Sequence, residues 1–168
     1  FALRYFATPC MTHIYQKQNL SPMIQLNFSI QINAPKEKVW HTLFDDKTYR
    51  QWTSVFHEGS YAIGDWSEGS KILFLGPEGS GMTSKILKHV PNEFLSIQHL
   101  GTVNNGIEDF DSEETKKWSG ALENYAVQEK NGVTTLSIET DTVEDHEAYF
   151  QETWPKALDK VKALSEAA

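Results

Sequence analysis

Residues 144–166 constrain the fold more than any other stretch. Phe150, Trp154, Ala157, Leu158, Val161 and Leu164 recur there at steps of three and four. That spacing gathers them into one apolar stripe along a helix, with Lys156, Asp159, Lys160 and Lys162 on the other side. A one-faced helix this long needs a surface to lie on. Residues 61–142 read as strands and turns, so that surface is a sheet. Pro155 falls inside the pattern; it lacks a backbone donor and crowds the preceding turn, which predicts a kink or a helix restart near 151–155.

The partner sheet is legible from its alternation. Ile24, Leu26, Phe28, Ile30 and Ile32 share one face of a strand, with Gln25, Asn27, Ser29 and Gln31 on the other. Asn33-Ala34-Pro35 then opens a short helix carrying Val39, Trp40, Leu43 and Phe44, because proline is tolerated where a helix begins. A second short helix from Asp46 carries Tyr49 and Trp52. Further strands are predicted at 61–63, 70–75, 82–90, 94–103, 118–129 and 133–140, the last two joined by Lys130-Asn131-Gly132, a hairpin signal. No strand–helix–strand alternation occurs, so the sheet is expected to be antiparallel. The fold class is α+β.

Charge and cysteine usage exclude several functions. Of 15 basic residues, Arg4 and Lys17 precede residue 23, leaving 13 against 23 acids beyond it and a net charge of −10. Nucleic-acid binding needs the opposite sign. No apolar run approaches the roughly 18 residues that span a bilayer. Cys10 is the only cysteine, which rules out an intrachain disulfide and fits a reducing compartment; a cytoplasmic protein is expected. Residues 1–22 contain no acid and read as a flexible N-terminal tail or upstream sequence, with residues 23–168 forming one domain.

Several segments in fixed order resemble the START-like (SRPBCC) superfamily, and within it proteins similar to the activator of the heat-shock-protein-ninety ATPase. They are Ile32-Asn33-Ala34-Pro35 with Val39-Trp40, then Tyr49-Arg50-Gln51-Trp52, Trp66-Ser67-Glu68-Gly69-Ser70 leading to Phe74, Val90-Pro91-Asn92-Glu93-Phe94-Leu95, and Trp154-Pro155-Lys156-Ala157-Leu158. The likeness spans residues 24–166. It implies a helix-grip fold, in which a curved antiparallel seven-stranded sheet wraps the long C-terminal helix, two short helices follow the first strand, and a cavity lies between sheet and helix. It does not imply one function, since relatives include ligand carriers, ring-closing enzymes and co-chaperones.

Nine Phe, six Tyr and five Trp supply material for a cavity wall. The residues expected there are Trp52, Tyr61, Phe74, Trp118, Tyr125, Phe150 and Trp154, whose rings suit an apolar ligand with one or two polar groups. Each of these aromatics has a plain alternative as core filling. His99 continues the Leu95, Ile97 alternation into the concavity, where it could hydrogen-bond a ligand or, with Tyr125, act in acid–base chemistry. Glu58, Asp65 and Glu123 are further ionisable candidates. The six histidines, His13, His41, His57, His89, His99 and His146, show no metal-ligand spacing. Gly76-Pro77-Glu78-Gly79-Ser80-Gly81 lacks the lysine of a phosphate loop and is a turn. Residues 108–114 lack the glycine of a calcium loop and read as a solvated loop or a flap over the cavity mouth. No cofactor is expected.

These features predict a binder of a hydrophobic small molecule or lipid-like ligand, with no evident catalytic centre. The alternatives are a protein-interaction, co-chaperone-like module with a protein partner, and a cavity enzyme of the cyclase or dehydratase type.

Overall fold

The computed structural model describes residues 23–167. The expectation for residues 1–22 lies outside the described residues.

The chain runs β1 (Ile24–Ile32), α1 (Lys36–Phe44), α2 (Asp46–Thr53), β2 (Tyr61–Ile63), β3 (Lys71–Leu75), β4 (Gly81–Val90), β5 (Phe94–Asn104), β6 (Ile107–Asp109), α3 (Glu113–Lys116), β7 (Leu122–Lys130), β8 (Val133–Thr142) and α4 (Glu144–Glu166). All pairings are antiparallel and the strand order is β1-β8-β7-β5-β4-β3-β2. That path has seven strands. An eighth, the short β6, folds back onto the end of β5. Register shifts at Thr83/Ser84 and Ile86/Lys88 interrupt the β4–β5 ladder, and such bulges bend a sheet and increase its twist.

The core fills the concave side. Ile86, Leu95, Ile97, Val127, Leu136 and Ile138 from the sheet meet Val39 and Leu43 of α1 and Trp154, Ala157, Leu158 and Val161 of α4, all buried. Phe150 and Leu164 of the expected stripe are partly buried against the same cluster. Acids Glu144, Asp145 and Glu147 occupy the first turn of α4, where they complement the helix dipole. The helix continues through Pro155 without a restart. Proline removes the donor that the Gln151 carbonyl would use, and Gln151 is exposed, so water can satisfy that group.

The two short helices are joined by a reused residue. Asp45 ends α1, its N–H donating to the His41 carbonyl, and its carboxylate accepts from the Lys47 N–H at 3.1 Å to start α2. The Thr134 hydroxyl, fully buried, donates to the Ala34 carbonyl at 2.7 Å and fixes the entry to α1 against β8.

Two expectations need correction. Trp118 lies in the turn after α3, and the strand begins only at Leu122. Of residues 108–114, only 110–112 form an exposed loop; Glu108 and Asp109 belong to β6 and Glu113 and Glu114 to α3. Asn105 and Gly106 both have positive φ, 49° and 79°, a tight turn that folds β6 back onto β5. From there Glu108 reaches Lys71, and the Phe110 ring sits so close to Gly101 that a methyl group there would lie 2.7 Å from it. No helix among the described residues is long and apolar enough to cross a membrane.

Candidate ligand-binding cavity

A cavity of about 810 Å³ opens to solvent between the sheet, α2 and the N-terminal half of α4. Trp52, Tyr61, Phe74, His99, Trp118, Tyr125, Phe150 and Trp154 all lie on its wall. The secondary structure explains how. Trp52 comes from the inner face of α2, Tyr61 and Phe74 from the paired strands β2 and β3, His99 and Tyr125 from β5 and β7, and Phe150 and Trp154 sit four apart on α4. The Trp52 indole is fixed by a hydrogen bond to the Leu43 carbonyl at 3.1 Å and tilts against Trp154 at 6.3 Å between centroids.

Other wall residues carried a weaker signal. Tyr49 stands three residues before Trp52 on α2 and so shares its face. Phe56 packs edge-on to Trp154 at 4.9 Å. Trp66 sits in a loop with no periodicity and adopts φ 59°, a left-handed conformation that bulky residues rarely take. Ring contacts with Phe44, Tyr49 and Phe74, at 5.0, 5.6 and 5.8 Å, hold it there. The Gly76–Gly81 segment is the β3–β4 turn as expected, with the Gly76 N–H donating to Ser80 at 2.8 Å, yet Gly76, Glu78, Ser80 and Gly81 also form part of the rim.

The polar groups converge on Glu123. One carboxylate oxygen accepts from the Tyr125 hydroxyl, and the other lies 3.4 Å from His99 Nε2. His99 Nδ1 is 2.8 Å from the hydroxyl of Ser84, which is fully buried. One proton arrangement satisfies the whole chain: Ser84 donates to Nδ1, and Nε2–H and Tyr125 O–H both donate to Glu123. Of the three carboxylates singled out from sequence, Glu123 alone lines the cavity. Glu58 and Asp65 do not, and Asp65 instead accepts from the Ser67 N–H at 2.9 Å.

The same carboxylate shapes its neighbours electrostatically. Burial first, and then the Glu123 charge, push the Tyr125 phenol well above the ordinary tyrosine range, and Tyr49 is raised by the same two causes. Both stay neutral hydroxyls at any physiological pH. The arrangement therefore offers a hydrogen-bond acceptor inside an aromatic chamber. His57 and His146 also line the cavity, but no group of His, Cys, Asp or Glu among the described residues could hold a metal ion.

The comparisons with known proteins fit this architecture. The family model described as Activator of Hsp90 ATPase homolog 1-like protein matches residues 33–166. No curated protein matches the sequence. Among solved structures, the Aha1 dimer of Colwellia psychrerythraea is similar at 22% identity and a TM-score of 0.65, covering 86% of this chain and 98% of that one. Protein MLL2253 of Mesorhizobium loti gives 17% identity and a TM-score of 0.64, covering 84% and 96%. CalU16 of Micromonospora echinospora gives 19% and 0.59, covering 86% and 77%. At these identities the structures speak to the fold alone. Because the family model covers most of the length, from the first helix to the last, the chain belongs to the Activator of Hsp90 ATPase homolog 1-like protein family.

Proposed function

We propose that the domain binds a hydrophobic small molecule or lipid-like ligand in the cavity between the sheet and α4. The observation that carries this reading is the cavity itself, about 810 Å³ with an aromatic wall drawn from five different elements. That volume falls in the range of small-molecule sites, roughly 300–1,000 Å³. Covering about 250 Å² of apolar ligand surface gains roughly 6 kcal/mol. After association entropy, an affinity on the order of micromolar remains. The Glu123 carboxylate and the neighbouring hydroxyls would orient the ligand's polar end.

Native mass spectrometry of the purified protein, alone and after incubation with a panel of lipids and aromatic compounds, tests the proposal. The expected result is a discrete added mass that survives desolvation. A protein that neither retains nor takes up any member of the panel overturns it.

A further inference from the structure

Every fixed charge on the cavity wall is negative. Glu78, Glu123 and Asp141 line it, and among the described residues no lysine or arginine does. Arg50 lies over the ring of the wall residue Tyr61 at 5.0 Å, but its charge is paired with Asp46 at 2.9 Å. The remaining titratable groups lining the space are His57, His99 and His146 and the phenols of Tyr49, Tyr61, Tyr125 and Tyr149. Glu123 has 20% of its side chain accessible and is held by Tyr125 and His99 on a wall that also carries Trp52, Phe74 and Trp154. Each of its oxygens has one donor, and an ionised carboxylate has about four acceptor sites, so half its capacity is free.

An anionic headgroup here would meet like charges, with no lysine or arginine among the described wall residues to offset them. A cation meets two favourable terms together, the carboxylate and the negative faces of the aromatic rings. Building on the binding reading above, we infer that the cavity selects ligands whose apolar body carries a positively charged amine or quaternary ammonium group, held between the aromatic wall and Glu123.

Three probes with the same decyl chain separate charge from hydrophobicity: decyltrimethylammonium, decanol and decanoate, each below micelle formation. Tryptophan fluorescence follows binding, since Trp52, Trp66, Trp118 and Trp154 face the cavity. The ammonium probe should bind at least about tenfold more tightly than decanoate, with decanol between them. Glu123→Gln should reduce the ammonium affinity about tenfold and weaken decanol, which loses at most one hydrogen bond there, by a clearly smaller factor. Because Glu123 organises Tyr125 and His99, circular dichroism should first show that this variant folds. Independently of any variant, raising the salt concentration should weaken the ammonium probe and not decanol. Decanoate binding as tightly as the ammonium, or three equal affinities, overturns the charge preference while leaving the binding reading intact. No binding by any of the three overturns both.

Discussion

Replacing Trp52 and Trp154 by phenylalanine, one at a time, tests how the cavity wall is held. The two indoles are 6.3 Å apart, each is 2% exposed, and each loses the same atoms on substitution. Their N–H groups differ. Trp52 Nε1 donates to the Leu43 carbonyl at 3.1 Å, whereas Trp154 Nε1 is buried without a partner. Leu43 lies in the last turn of α1, where carbonyls have no donor within the helix. Trp52→Phe therefore strands a buried carbonyl in addition to opening space, and Trp154→Phe only opens space. The lost volume is shared, at about 1–3 kcal/mol each. The stranded carbonyl adds about 1–3 kcal/mol to Trp52→Phe alone. Urea denaturation of both variants should give unchanged m-values and a loss of stability about 1–3 kcal/mol larger for Trp52→Phe, which thermal denaturation should show as a gap of about 3–10 °C in Tm. If Trp154→Phe proves equally or more damaging, the account of how these walls are anchored is wrong.

Three further outcomes are expected. Gly81→Ala should cost about 3 kcal/mol or more, because a Cβ there would lie 1.9 Å from the Phe74 carbonyl oxygen across the β3–β4 ladder; thermal denaturation indistinguishable from the parent contradicts this. The Ser112 hydroxyl, then the Asp111 and Ser112 amides, hold Asp109 down to about 2. Since its folded value is depressed, the stabilisation it lends to the β6–α3 segment is complete above the ordinary value of 3.8 and lost as pH falls toward 2; an NMR titration of the Asp109 carboxyl with a midpoint at or above 3.8 refutes it. Tyr49 and Tyr125 should remain un-ionised in a spectrophotometric titration to about pH 11, ionising only on unfolding; full tyrosinate absorbance in the folded protein contradicts this.

The fold was legible where period and partner coincide. The β1 alternation and the α4 stripe each specify one buried face, and β7–β8 is announced by Asn131-Gly132, whose φ values of 55° and 78° fit the tight hairpin turn. The same dipeptide at Asn105-Gly106 forms an equivalent turn. It is followed by only three strand residues within an acidic run, too few to show alternation, so β6 was not evident. The aromatic wall was readable because β5, β7, α2 and α4 each aim one face inward. Trp66 was not, because no periodic element carries it and its position depends on rings far away in sequence. The Tyr125–Glu123–His99–Ser84 chain was hidden for another reason. His99 and Ser84 are cross-strand neighbours through a bulged register, which sequence spacing does not encode.

The pairing of β1 with β8 has a consequence for biosynthesis. β1 is made before the other strands of the sheet, yet among the described residues its one hydrogen-bonding neighbour is β8, the last of them. Its apolar face also waits for α4, which is made after every strand of this sheet; the Phe28 ring ends up stacked on Trp154. Throughout most of translation that edge has nothing native to bind, and contacts this distant along the chain form slowly. A product truncated before β8 therefore exposes the apolar face and an unpaired edge of β1, a hazard for aggregation.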